Sequence, residues 1–191
     1  MLRYDLAVFD TRVRDELVPF EIAGSNGRRY FRNAGRTRRQ GAEVGTELTS
    51  SMVSLLFSYT YSHFRFTRYE SGGVDFSGNR IPGIPRHRFQ SSLRLRTGRT
   101  FALIENEATG RTYVDDANTT TASGYAVTNA RLGSDISRGR AHASVVLGVQ
   151  NIFDRVYASS LAVNAARGKY FEPAPGRAFF VGLSIGTGER R

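Results

Sequence analysis

Apolar side chains return at every second position over most of this chain, and that period admits β-strands and little else. In residues 2–9, Leu2, Tyr4, Leu6 and Val8 take one face against Arg3, Asp5 and Ala7. In 41–48, Ala42, Val44 and Leu48 oppose Glu43 and Glu47. In 52–61, Val53, Leu55, Phe57, Tyr59 and Tyr61 oppose Ser54, Ser58 and Thr60. In 88–96, Phe89, Leu93 and Leu95 oppose Arg88, Gln90, Arg94 and Arg96. Residues 141–150 place Val145, Leu147 and Val149 opposite His142, Ser144 and Gln150; 177–187 place Phe179, Val181, Leu183 and Ile185 opposite Gly182, Ser184 and Gly186. Two further stretches alternate less cleanly. In 99–113, Phe101 and Leu103 share a face with Glu105 and Glu107, so either the strand leaves the apolar layer or a bulge resets it. In 123–134, Tyr125 and Val127 fall on one face, Ala130 and Leu132 on the other.

The connectors order these eight strands into an antiparallel up-and-down meander. Those near 49–51 and 97–99 are tight, and 135–139 is modest. Those at 68–84, 114–122 and 153–176 are long and rich in Gly, Pro, Asn and Ser. A Gly-Ser-Asn-Gly turn at 24–27 separates two extended stretches, 2–23 and 28–48. A two-residue turn at Ser50–Ser51 pairs residue 48 with 53 and 44 with 57, which aligns both apolar faces.

Which apolar surface those faces touch is the next question. The 191 residues suffice for one domain, yet only 40% are hydrophobic and the formal charge is +10. Lys169 is the sole lysine, and there is no cysteine to build a disulfide framework or thiolate metal site. No run reaches the roughly 18 apolar residues of a membrane helix. The start, MLRYDLAVFDTR, carries Arg3, Asp5 and Asp10 where a signal peptide needs an apolar core. A soluble sandwich turns its polar face to water; a membrane barrel turns its apolar face to lipid and its polar face to the lumen. Three features favour the barrel. Opposed charges (Glu43 and Glu47 against Arg3, Arg94 and Arg96) suit a wet lumen. Short turns at one edge face long loops at the other. Tyr59, Tyr61, Phe64, Tyr125, Phe153 and Tyr157 cluster at strand ends, where interfacial girdles belong.

Ordered motifs add a resemblance. Asn33-Ala34-Gly35, Gly41-Ala42-Glu43 and Tyr59-Thr60-Tyr61 resemble a passage of TonB-dependent outer-membrane receptors. "GNRIPGIPRHRF" (78–89), "YVDDANT" (113–119), "GVQNIFDRVY" (148–157) and "YFEPAPGRAFFVGLSI" (170–185) are similar, in order, to later passages of that family. The resemblance implies an all-β fold, the last eight strands of a 22-stranded transmembrane barrel. It implies extracellular long loops and periplasmic short turns. Signal peptide, TonB-contacting segment, plug and the first fourteen or so strands would then lie outside this sequence. It further implies an outer-membrane receptor for an iron chelate or another scarce nutrient, with lipid and lipopolysaccharide as neighbours and TonB reached only through the plug. The lipid-facing set is then Val53, Leu55, Phe57, Tyr59, Phe89, Leu93, Leu95, Val145, Leu147, Val149, Phe179, Val181, Leu183 and Ile185. One departure stands out: the family's final strand ends on an aromatic, and Thr187 holds that place here.

No catalytic pattern accompanies these strands. His63, His87 and His142 are far apart, without H-x-x-x-H or paired carboxylates, so no metal or cofactor is expected. Asp115-Asp116 reads as a turn acceptor pair, and Asn151 and Asp154 as chain-turning residues around Phe153. No G-x-S-x-G elbow is present, and Gly186-Thr187-Gly188 is too short to cradle phosphate. The densest positive charge is Arg28, Arg29 and Arg32 with Arg36, Arg38 and Arg39. No nucleic-acid module surrounds it. Within the receptor reading, Arg29 and Arg32 are the candidates for drawing anionic metal chelates to the mouth. Two other readings stay open: a closed eight-stranded barrel with a structural or adhesive role, and a soluble basic β-domain binding an anionic polymer.

Overall fold

The computed structural model describes residues 1–24, 28–138 and 141–187. Its main sheet has eight antiparallel strands: β1 (Leu2–Arg14), β2 (Arg36–Thr49), β3 (Val53–Arg68), β4 (His87–Thr97), β5 (Thr100–Thr109), β6 (Tyr125–Arg138), β7 (Ala141–Gln150) and β8 (Ala178–Thr187). Each pairs with its neighbours in sequence, as the connectors predict. Among the described residues, β1 and β8 have one partner each, so the sheet is open. A closed eight-stranded barrel would pair them, and that reading is set aside.

Parity of register decides which side chains share a face. One row of cross-strand partners runs through all eight strands: Leu2, Leu48, Leu55, Leu93, Ile104, Ala130, Val149 and Phe179. All fourteen residues assigned to the apolar face lie on this side of the sheet, and much of it has no cover. Leu6, Val8, Phe179 and Ile185 are 69, 79, 76 and 72% exposed. A soluble protein rarely leaves so large a contiguous apolar face in water.

Several expectations change in detail. The strands outrun their apolar stretches, because Arg and His residues keep the ladder going: β3 reaches Arg68 and β6 reaches Arg138. The modest turn expected at 135–139 therefore shrinks, and its last residue lies outside the described ones, as do 25–27 of the turn at 24–27. The first long loop is a bent continuation of β1 and β2. The chain breaks at Asp15 (φ 57°) and Gly35 (φ 70°), and the ribbon Leu17–Glu21/Arg29–Asn33 follows. The first hairpin pairs Leu48 with Leu55 and Val44 with Tyr59, two residues off the expected register. Ser50 causes the slip: its Oγ accepts from the Val53 N–H (3.0 Å) and its own N–H donates to the Val53 carbonyl (2.7 Å). An even shift leaves every side chain on its expected face.

β5 shows neither a bulge nor a departure from the layer. Ala102, Ile104 and Ala108 face the apolar side, and Phe101 and Leu103 join Glu105 and Glu107 on the polar side. Phe101 sits there because it covers Gly133 on the next strand and takes Arg94 on its face at 5.1 Å. On β6, Ala130 and Leu132 belong to the apolar side, Tyr125 and Val127 to the other. The aromatic girdle also divides. Tyr59 and Tyr61 stay on the apolar face beside His87, with the Tyr59 hydroxyl 2.8 Å from His87 Nδ1. Phe64 instead packs on Phe9 (6.0 Å), and Tyr125 on Tyr157 (4.4 Å), off that face.

The polar side carries a recurring device in which a ring lies over a glycine of the adjacent strand. Phe9 covers Gly41, Phe101 covers Gly133, Phe180 covers Gly148 and His142 covers Gly186. At Gly41 a Cβ would overlap both the Phe9 ring and the Tyr61 carbonyl oxygen, and backbone cannot swing aside as a ring can. Gly41→Ala should therefore lower unfolding free energy in detergent by about 1–3 kcal/mol. Gly45→Ala, whose Cβ would sit 3.8 Å from Asp5, should leave it within about 0.5 kcal/mol. Equal denaturant midpoints for the two variants would refute this account.

Candidate ligand-contact loops

The long connections form one knitted unit at one end of the sheet. Their apolar centre is Val18, Ala34, Phe66, Tyr69 and Ile81, with Phe64, Phe76 and Ile84 packed against it. The Phe66, Tyr69 and Phe76 rings stack in series at 4.7 and 5.2 Å. Beside them, 3% exposed, lies Asp116. It accepts from the Tyr69 hydroxyl (2.9 Å) and pairs with Arg32 at 3.3 Å. Arg32 also donates to Ser71 Oγ (2.9 Å) and lies over the Phe20 ring at 4.8 Å. Three connections thus meet at one buried carboxylate. Burial and the neighbouring Asp116 charge push the Tyr69 phenol up to about 12.

Asparagines make the remaining ties, because one amide both donates and accepts and the residue tolerates positive φ. Asn118 (φ 58°) brackets Arg80, accepting from its N–H at 2.8 Å and donating to its carbonyl at 2.9 Å. Asn79 donates to the Asp116 carbonyl at 2.8 Å. Asn164 (φ 53°) donates to the Pro19 carbonyl at 2.9 Å and accepts from the Asp116 N–H at 3.0 Å. Asp115 is the turn acceptor expected. Burial opposes its charge, but the Thr119 and Thr120 N–H groups and hydroxyl donation hold its carboxyl below the ordinary range. Asn151 and Asp154 turn the chain as expected, both at φ 51°; Asp154 Oδ1 accepts from the Arg177 N–H at 2.7 Å.

The two arginine candidates part company here. The Arg32 guanidinium is engaged inside the cluster. Arg29 is exposed, opposite Glu21 in the ribbon, and lines a cavity of about 420 Å³ with Glu21, Arg167, Lys169 and Glu172. The sheet's polar side holds a second trough, about 560 Å³, lined by Ser58, Gln90, Ser92, Glu105, Glu107 and Arg131. Arg131 and Glu105 pair across it at 3.1 Å. The histidines stay apart: His63 beside Arg86, His87 beside Tyr59, His142 over Gly186.

An open meander with one bare apolar face, short turns at one end and knitted loops at the other agrees with the family comparison. The family described as TonB dependent receptor-like, beta-barrel matches residues 1–152. The chain belongs to the TonB-dependent receptors. These are transport receptors of the Gram-negative outer membrane. The ferrichrome outer membrane transporter/phage receptor of Escherichia coli K12 is 29% identical over 153 residues, 73% of this chain and 19% of the relative. Two solved receptors share the fold across nearly the whole chain. The siderophore receptor PiuA of Acinetobacter baumannii has a TM-score of 0.72 at 19% identity, covering 96% of this chain and 26% of its own. The ferric yersiniabactin uptake receptor FyuA of Yersinia pestis has a TM-score of 0.73 at 23% identity, covering 95% and 27%. The chain thus spans about a quarter of the solved receptors' length.

In this TonB-dependent receptor chain the loop centre should titrate late. A tyrosine whose folded pKa lies above its unfolded value contributes stability below about pH 10 that is lost as pH rises towards 12. Ultraviolet titration should show one phenol ionising near pH 12, absent in Tyr69→Phe. Asp116→Ala strands Arg32 and should cost about 3 kcal/mol, measured by denaturant unfolding.

Proposed function

We propose that the chain forms the last eight strands of a 22-stranded receptor barrel, with its apolar face on lipid and its polar face lining the lumen. The observation that carries this is the unbroken apolar row across all eight strands, exposed at both ends. Backbone in hydrocarbon has no water to bond, so β1 and β8 call for further strands, which the remainder of a 22-stranded wall supplies. The plug and TonB-contacting segment belong to that same remainder. The long loops lie outside the cell and the short turns in the periplasm.

The parent receptor on this reading takes up an iron chelate, the cargo type named for its relatives. This chain contributes wall, lumen lining and extracellular loops, and no catalytic step. Arg29 is the residue placed to draw an anionic chelate inward; Arg32 acts by holding the loops together.

Two experiments test this reading. Leu147→Arg, on the apolar face, should cost about 2–4 kcal/mol of folding free energy in lipid bilayers, and Gln90→Arg in the lumen trough close to nothing. Equal costs would sink the orientation. In the receptor carrying this chain, Arg29→Glu should slow association of an anionic ferric chelate roughly 2–10-fold at low ionic strength, with the difference fading in high salt. An unchanged rate would remove Arg29 from the ligand path.

A further inference from the structure

The polar side of the sheet sorts its charges by height. Two neighbouring rows of cross-strand partners hold carboxylates: Asp5–Gly45–Ser58–Gln90–Glu107 and Arg3–Glu47–Leu56–Ser92–Glu105. Arg3 pairs with Glu47 at 3.6 Å. The next row towards the short turns runs Thr49–Ser54–Arg94–Leu103–Arg131, and the one after it Arg96–Phe101–Gly133. These lower rows hold Arg94, Arg131 and Arg96 and no carboxylate. Arg131 reaches back to Glu105 at 3.1 Å. Arg94 and Arg96 are exposed and have no ion pair among the described residues. The Phe101 ring takes the face of Arg94 at 5.1 Å, which leaves the in-plane N–H groups of that guanidinium for an acceptor. Both arginines line a trough of about 500 Å³ with Arg131, Ser50, Ser51 and Ser54.

The lumen of a 22-stranded barrel is plugged, and this chain spans only about a quarter of the solved receptors' length. We propose that an extended plug segment carrying carboxylates two residues apart docks on Arg94 and Arg96. The inference rests on the lumen-facing orientation proposed above and names the chemistry that this part of the wall accepts. Arg94 and Arg96 stand two positions apart on one strand, a separation of about 7 Å. An extended segment repeats its side chains at that same distance, so alternate carboxylates meet the two guanidiniums one to one. Guanidinium forks match carboxylate oxygens in pairs. The order of the rows also fixes the height of the segment. Moved up by one row, its carboxylates would stand against Glu47 and Glu105, and like charges repel. The same order disfavours an anionic chelate as the occupant: descending this wall, it meets Asp5, Glu107, Glu47 and Glu105 before either arginine.

The test places the photo-crosslinker p-benzoylphenylalanine at Ser54, on the floor of the trough, in the receptor carrying this chain. A second receptor carries it at Ser58, in the carboxylate rows above. Cross-linked peptides from outer membranes are sequenced by mass spectrometry. The Ser54 probe should capture a plug peptide with Asp or Glu at alternate positions. Arg94→Glu/Arg96→Glu should lower that yield roughly tenfold, and Arg94→Lys/Arg96→Lys should keep most of it. The Ser58 yield should stay unchanged in both variants, which shows that the plug is still in the lumen. A Ser54 peptide without alternate acids, or an equal yield in the Glu variant, overturns the inference. So does a Ser58 yield that falls in step with that of Ser54, because the variant has then lost the plug as a whole. No cross-link from either position overturns the lumen orientation and this inference together; a cross-link from Ser58 with none from Ser54 overturns this inference alone.

Discussion

A backbone amide in hydrocarbon has one remedy, a carbonyl on the next strand, and this chain is organised around that demand. Pairing fixes register, and register fixes which side chains share a face. The ladder therefore couples a requirement of the backbone to the sorting of leucine from glutamate. It also explains why an even slip in the first hairpin is harmless where an odd one would drive Glu43 and Glu47 onto the apolar side. The cost falls on the two outer strands, whose remaining amides need neighbours beyond this sheet.

The polar side obeys different economics. With water available, side chains there serve packing and pairing. Rings cover glycines, Arg94 stacks on Phe101 and Arg131 meets Glu105. Aromatics on this side keep the wall dense where glycine leaves the backbone bare. The loop cluster adds a third regime, a small core tied by one buried carboxylate and three asparagines. It is the part of the chain that most resembles the interior of a soluble protein.

The sequence showed the wall and hid the cluster. Period two at Val53, Leu55 and Phe57, or at Phe179, Val181 and Leu183, reflects a local rule and is readable residue by residue. The rule misled at Phe101 and Leu103, where the deciding neighbours, Gly133 and Arg94, lie on other strands. Aromatic clustering likewise could not separate Tyr59 from Phe64, because a girdle residue and a loop-core residue have the same chemistry in one dimension. Nothing in the sequence signals that Arg32, a ligand-contact candidate, pairs with Asp116, 84 residues on. Asn118 and Asn164 bond to partners 38 and 145 positions away, and nothing nearby marks them.

The Asn164 tie bears on the order of assembly. Its bond joins the first connection to the last, so it forms only after residue 164 has been made and brought back to Pro19. Loop closure over such a span is slow compared with any hairpin of the wall. The loop cap therefore closes only when the first and last connections meet. A chain interrupted before the final connection would carry strands but an unlatched first ribbon, open to proteolysis.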